Sequence, residues 1–356
     1  MKKISLLILT ICVMFLFTGC RIYYTYDLSQ GENVDLTTEV YYAEDEVSRD
    51  KLGPEYESVV LEDGKTYYMS KKTVTESLKE VSKDTDIGVI RPDLIYIPGE
   101  KVEEQTSVVK KSTDDIQKLY ESMYIKLTFI LSEDIVETNG ILGEDKRTVT
   151  FIRNGGSMTE EMYAYTETSK KVIDSDKTPP LIKGLKKNKY YRNIDSLDIT
   201  DETGLQSITC NGIDLLCSTV NSDGKVSKRW YLIRQQKFKQ GKNVIVATDI
   251  SGNTSTFTFL YDNKPPVFKK IKNYASRKKK VVFYVKDKDS GIKKLTYSKN
   301  NKKMKKIPKK YIKKVKKGKY KGYLKVTIPC KKSFYMAIKA LDKAGNSSYV
   351  TGIKVN

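Results

Sequence analysis

The sequence predicts a mostly β protein in which an α+β domain precedes two tandem antiparallel β-sandwiches. Three observations lead there. The turn "ATDISGNTS", Ala247 to Ser255, returns as "ALDKAGNSS", Ala340 to Ser348. The residues around both turns alternate between apolar and polar, the period-two pattern of half-buried strands. The 356 residues are 39% hydrophobic, enough for two or three modest cores and too many for one small domain.

The chain opens with Met1-Lys2-Lys3 and an apolar stretch from Ile4 to Phe17, followed by "LFTGC", Leu16 to Cys20. The apolar run is about fourteen residues, short of the roughly 20 that span a bilayer. A small pair, Thr18-Gly19, precedes the cysteine as small residues precede a cleavage site. This segment resembles the lipobox of bacterial lipoproteins, although Phe17 departs from the usual leucine. The resemblance implies that residues 1–19 are a signal peptide and that Cys20 becomes the lipid-bearing first mature residue. Two acyl chains anchor stably where one does not. The expected location is extracytoplasmic, tethered to the cell membrane.

Residues 20–172 read as the α+β domain. "IYYTYDL" and "NVDLTTEVYYA" are expected as paired strands about a turn at Gly31. "DGKTYYMSKKTVTESLKEV" is expected to pass from strand into helix, with Thr73 or Thr75 as cap and Val74, Leu78 and Val81 as its apolar stripe. "STDDIQKLYESM" predicts a short helix with Ser112 and Asp115 as capping box. "YIKLTFIL" alternates as a strand, "DIVETNGILGEDKRTVTFI" gives two strands about a turn, and "EEMYAYTET" ends the domain. Asp63-Gly64-Lys65-Thr66-Tyr67-Tyr68, and Thr138-Asn139-Gly140 with Thr148 to Phe151, resemble the LppM-type lipoprotein domain. That resemblance implies an extracytoplasmic α+β fold, without known catalytic residues and with a conceivable lipid- or ligand-holding surface.

Residues 176–262 and 263–356 carry three landmarks in one order. "DKTPPLI", "DETGLQSI" and "VIVATDISGNTSTFTF" are matched by "DNKPPVF", "DKDSGIKKL" and "YMAIKALDKAGNSSYV". The Pro-Pro pairs donate no backbone hydrogen bonds and stiffen the junctions. Thr203-Gly204 and Ser290-Gly291 supply a bend before an alternating run. Asp249 and Asp342 accept N–H bonds inside a hairpin turn, Gly252 and Gly345 permit positive φ, and Asn253 and Asn346 tolerate the left-handed region. Val244, Val246 and Thr248 point one way, and Ile245, Ala247 and Asp249 the other. The pattern D-x-x-P-P, S-G-I, A-x-D-x-A-G-N resembles bacterial immunoglobulin-like domains of surface proteins. It implies sandwiches of about seven strands and a role in adhesion, spacing or polymer binding.

An oxidising compartment permits disulfides among Cys210, Cys217 and Cys330. In "SITCNGIDLLC" the Asn211-Gly212 pair favours a two-residue turn that sets Cys210 opposite Ile213 and leaves Cys217 too far along to bridge. All three are expected as free, buried thiols.

Charge is the strongest lead to function. From Lys264 onward there are 31 lysines and arginines against three acids, Asp287, Asp289 and Asp342, a net of about +28; the rest of the chain carries about −7 of the total +21. Such asymmetry points to polyanion contact. The candidate site is the run holding Lys302, Lys303, Lys305, Lys306, Lys309, Lys310, Lys313, Lys314, Lys316 and Lys317. Met304, Ile307, Tyr311, Ile312, Val315, Tyr320 and Tyr323 interrupt it, so part of the run is expected to pack on the sandwich. Lysine acts as a hydrated point charge, suited to salt-sensitive contact with anionic envelope polymer or lipid headgroups rather than to reading nucleic acid bases.

Catalysis is not expected. The chain has no histidine, the commonest general base and metal ligand. It holds no G-x-S-x-G elbow, Walker loop, C-x-x-C or H-E-x-x-H. The carboxylates near Asp249 and Asp342 read as turn caps rather than a calcium site, and neither a metal nor another cofactor is expected. The rival reading is a lipid- or small-ligand-binding protein acting through a cavity in the N-terminal domain.

Overall fold

A computed structural model describes residues 20–78, 81, 89–99, 124–154, 160–194, 196–214, 218–222, 225–231, 238–271, 274–275, 280–300, 302–330 and 333–355. The expected signal peptide and the expected helix from Ser112 lie outside these residues, as does Cys217.

The N-terminal region holds β1 (Arg21–Asp27), β2 (Asn33–Ala43), β3 (Glu57–Val60), β4 (Thr66–Ser77), β5 (Val89–Arg91), β6 (Leu94–Ile97), β7 (Tyr124–Ile130), β8 (Ile135–Thr138), β9 (Ile141–Leu142), β10 (Thr148–Asn154), β11 (Met162–Thr166) and α1 (Glu167–Ser175). They form a seven-stranded sheet, β3-β4-β2-β1-β7-β10-β9, and a four-stranded sheet, β5-β6-β11-β8. β1 and β2 make the expected hairpin, with Gly31 at φ 79°, and β1 pairs in parallel with β7. Between the sheets lies a core that includes Leu28, Val34, Ile95, Phe129, Leu131 and Val149.

Three expectations for this region are corrected. Thr73 to Ser77 continue β4 instead of starting a helix. Asn33 to Thr37 of β2 pair with them, within an unbroken register of eleven pairs between β2 and β4, and β-branched Thr73, Val74 and Thr75 suit a sheet. Leu78 and Val81 still reach the core as foreseen. The segment from Ile135 gives three strands, not two, because β8 joins the smaller sheet while β9 and β10 pair in the larger one. "EEMYAYTET" ends in a helix: Thr166 caps α1 through a reciprocal hydrogen-bond pair with Ser169.

The first sandwich comprises β12 (Leu181–Lys183), β13 (Tyr190–Tyr191), β14 (Ser196–Thr200), β15 (Leu205–Cys210), β16 (Ile213–Asp214), β17 (Ser218–Ser222), β18 (Lys225–Tyr231), β19 (Gly241–Asp249) and β20 (Thr254–Tyr261). The second comprises β21 (Val267–Lys269), β22 (Tyr274–Ala275), β23 (Lys280–Lys286), β24 (Ile292–Lys299), β25 (Lys305–Lys306), β26 (Ile312–Lys314), β27 (Leu324–Pro329), β28 (Phe334–Asp342) and β29 (Ser347–Val355). Sheets β12-β14-β18-β17 and β13-β20-β19-β15-β16 reappear, strand for strand, as β21-β23-β27-β26 and β22-β29-β28-β24-β25. The repeat seen in the sequence is therefore a repeat of topology, with nine strands per domain because short β13, β16 and their counterparts add to the expected seven.

Both sandwiches are immunoglobulin-like, and each has its own core. The first is built on Ile199, Leu205, Ile208, Ile245, Ala247 and Phe259, the second on Val281, Phe283, Val326, Met336, Ile338 and Ile353. In β19, Ile245, Ala247 and Asp249 face inward while Val244, Val246 and Thr248 are less buried, as the alternation required. Cys210 pairs with Ile213 across Asn211 and Gly212, both at positive φ, and Cys210 and Cys330 are free and buried.

Candidate functional site

The lysine run forms one side wall of the last sandwich. Lys305 and Lys306 lie on β25, the edge of the five-stranded sheet; Lys309 and Lys310 lie on a short 3₁₀ turn; Lys313 and Lys314 lie on β26, the edge of the four-stranded sheet. Lys302, Lys303, Lys316 and Lys317 flank these edges, and all ten lysines are exposed. The interleaved apolar residues do the packing. Ile307 is 1% exposed and joins the core, with Tyr311 and Ile312 against it. The fold thus separates the run into buried apolar anchors and outward cations, with stems lying along the surface.

Both outer sheet faces continue the charge. On the four-stranded sheet, Lys269, Tyr284, Lys325 and Lys313 stand opposite one another in register across four strands. On the other sheet, Tyr349, Lys339, Thr296 and Lys306 form the equivalent row. Among the described residues, no lysine of this domain lies within ion-pair distance of a carboxylate; the ion pairs fall between Arg21 and Asp174. Like charges directly opposite, such as Lys313 and Lys325, repel. The wall and faces therefore form one continuous cationic belt with its field uncompensated from within.

The domain's acids lie on its side toward the first sandwich, whose Tyr190 donates to the Asp289 carbonyl at 3.1 Å. Asp262, Asp287 and Asp342 bring carboxylate oxygens within 4.8 Å of one another, as do Asp176, Asp201 and Asp249 one domain earlier. These six residues come from the three sequence landmarks of each repeat, so the landmarks converge at one corner of each sandwich. Asp342 accepts bonds from the backbone N–H groups of Gly345 and Asn346 and from the Asn346 amide, at 2.6, 2.8 and 2.9 Å. Asp249 is held the same way by Asn253, at 2.7 and 3.0 Å. Asp201 accepts from the N–H groups of Thr203 and Gly204 and from the Thr203 hydroxyl.

Asp249 and Asp342 do cap their turns, although each sits with two further carboxylates, which the sequence did not show. Only Gly252 and Gly345 take positive φ there, at 84° and 103°. Asn253 and Asn346 act through their side chains, not through a left-handed backbone. Burial, followed by the neighbouring carboxylates, raises the pKa of Asp201 and Asp287 above the usual aspartate value. Carboxylate oxygens are the donors a hard cation takes; both oxygens of Asp176, Asp249, Asp262 and Asp342 also accept hydrogen bonds, for Asp176 and Asp262 partly from Thr203 and Ser290 on a second segment.

Cys20 is 9% exposed, with Ile22, Val40, Tyr42 and Val47 in the same apolar cluster. Burial, and secondarily Glu46, pushes its thiol up to about 12, so as an unmodified thiol it is a poor nucleophile. Among the described residues, no helix is long and apolar enough to cross a membrane.

A cleft of about 450 Å³ opens between the N-terminal region and the first sandwich, with Glu137, Glu161, Tyr163, Lys170 and Asp174 in its lining. Tyr96 donates to Glu161 at 2.8 Å within it. It is largely polar.

No family model matches the chain, and no curated protein does. Solved structures with similar folds include the titin Ig tandem domains A164-A165 (14% identity, 50% of this chain and 96% of that one, TM-score 0.21). The fibronectin(III)-like modules of Clostridium thermocellum CbhA align at 9% identity over 49% of this chain and 92% of that one, with a TM-score of 0.24. A Bacteroides ovatus SGBP-B from a mixed-linkage glucan utilization locus, in complex with a heptasaccharide, aligns at 10% identity over 60% of this chain and 57% of that one, with a TM-score of 0.21.

Proposed function

We propose that the protein is a non-catalytic, lipid-anchored surface protein whose last domain attaches it to anionic polymer of the cell envelope. The observation that carries the reading is the uncompensated cationic belt: ten exposed lysines along one wall, continued on both faces. Lysine on an edge strand also discourages sheet-to-sheet pairing, but that task needs a few residues, not a belt on every outward surface. The N-terminal region and the first sandwich act as a spacer between anchor and belt. Lipidation at Cys20 supplies the anchor, and the LppM-like motifs around Asp63 and Thr138 are in keeping with a membrane-proximal position.

The test uses the full chain in detergent over immobilised anionic and neutral polymers. Retention on the anionic matrix alone is expected, falling steeply between about 50 and 200 mM salt, and sharply reduced when the ten lysines become glutamine. Equal retention on both matrices would remove the polymer reading. Fractionation after Cys20→Ser tests the anchor separately: the protein is expected to leave the membrane fraction.

A further inference from the structure

One part of the cationic belt is built differently from the rest. Between β26 and β27 the chain folds back across the outer face of the four-stranded sheet. Val315 donates to the Tyr323 carbonyl, Gly322 to that of Val315, and Tyr323 to that of Tyr320, at 2.9, 2.9 and 3.0 Å. This lays Tyr320 flat on Tyr284, with ring centroids 4.2 Å apart and planes 19° apart, and sets Tyr323 edge-on to Tyr320. Lysines ring the stack. Lys270 Nζ lies 5.9 Å from the Tyr284 centroid and 5.6 Å from that of Tyr320, and Lys286 Nζ lies 5.7 Å from Tyr323. Lys270 holds its position with φ at 57°, a backbone conformation uncommon for a residue with a side chain. Lys269 and Lys325 flank Tyr284 in the same row.

A ligand of phosphates alone needs cations and gains nothing from rings. Single-stranded nucleic acid stacks successive bases on successive free ring faces, whereas the Tyr284–Tyr320 stack leaves a single outward platform, the outer face of Tyr320. A polymer of acidic sugars offers both features present: pyranose faces whose C–H groups lie on an aromatic ring, and carboxylates beside each ring for the lysines. We infer that the outer face of the β21-β23-β27-β26 sheet binds an acidic polysaccharide, with Tyr320 stacking on a sugar ring and Lys269, Lys270 and Lys325 meeting its carboxylates. This rests on the polyanion reading above and narrows it to one face and one polymer class.

The experiment measures affinity of the full chain for polygalacturonate, polyphosphate and a single-stranded oligodeoxynucleotide at one salt concentration. Variants Tyr320→Ala and Tyr284→Leu are expected to bind polygalacturonate about fivefold more weakly and polyphosphate as before. Unchanged polyphosphate binding also reports that the lysine face is intact. The inference is overturned if polygalacturonate affinity does not move, if all three ligands lose alike, or if the oligonucleotide binds best and loses most. A wild-type chain that binds none of the three defeats the polyanion reading itself.

Discussion

The side-chain amide of Asn346, in the last hairpin, donates to the backbone carbonyl of Asp262, at the start of the same domain, over 2.7 Å. The same amide also reaches Asp342, so one residue ties the hairpin, its own turn carboxylate and the interdomain linker together. Asn253 repeats the arrangement with Asp176 and Asp249 in the first sandwich. Replacing Asn346 with alanine strips a donor from two buried acceptors. The expected cost is about 2–3 kcal/mol to the last domain, read as an earlier calorimetric transition for that domain only. A shift within about 0.5 kcal/mol, the range of an ordinary surface change, would mean that the tie is not structural.

The carboxylate clusters give a pH dependence of definite sign. Asp201 and Asp287 have raised pKa values because burial and nearby carboxylates disfavour their charged forms. The folded state therefore holds protons that the unfolded chain has released. The stabilisation is fully present below the ordinary aspartate value near 3.9 and is lost as pH rises through the raised folded value. Asp201→Asn with Asp287→Asn keeps an acceptor for the turn N–H groups and removes both charges. The double variant is expected to melt higher than the parent at pH 7 and to converge with it as the pH falls. Parallel melting curves across that range would contradict the assignment.

Gly204 tests the packing between the N-terminal region and the first sandwich. Its φ is 119°, and a Cβ there would meet Val89 Cγ2 at 2.5 Å and Ile250 Cδ1 at 2.8 Å. Ile250 packs with Val89, Leu94, Tyr96, Tyr165 and Ile173 across the junction. Gly204→Ala is expected to cost about 2–4 kcal/mol through backbone strain and overpacking. Limited proteolysis checks where the damage falls: cleavage should appear first around residues 166–205.

What the sequence made legible was local. Asn211-Gly212 forces positive φ at two adjacent positions, so the Cys210–Ile213 register follows from two residues alone. The apolar residues among the lysines foretold which parts of the run would pack, because an exposed loop has no use for Ile307. Thr73 to Ser77 misled because helical spacing and strand propensity coexist there, and a distant partner, β2, decided between them. The carboxylate clusters and the Tyr284–Tyr320 stack were illegible for a related reason. Each joins residues far apart in the chain, and only the closing of the sandwich brings them together.

The last prediction sets stability against binding at one residue. Lys313 on β26 stands opposite Lys325 on β27, both exposed and without a carboxylate partner among the described residues. Opposed like charges on neighbouring strands destabilise, and an opposite pair contributes roughly 0.2–1 kcal/mol. Lys313→Glu should therefore raise the melting temperature of the last domain slightly at low salt, and the gain should fade as salt screens the pair. The same change removes two units of positive charge from the belt, so its affinity for anionic polymer should fall and the salt slope should flatten. A site kept for folding would lose stability with the substitution; a site kept for a ligand gains stability and loses the ligand. Calorimetry and polymer titration on the same sample separate the two, and a variant that is less stable yet binds as before would refute the functional account of Lys313.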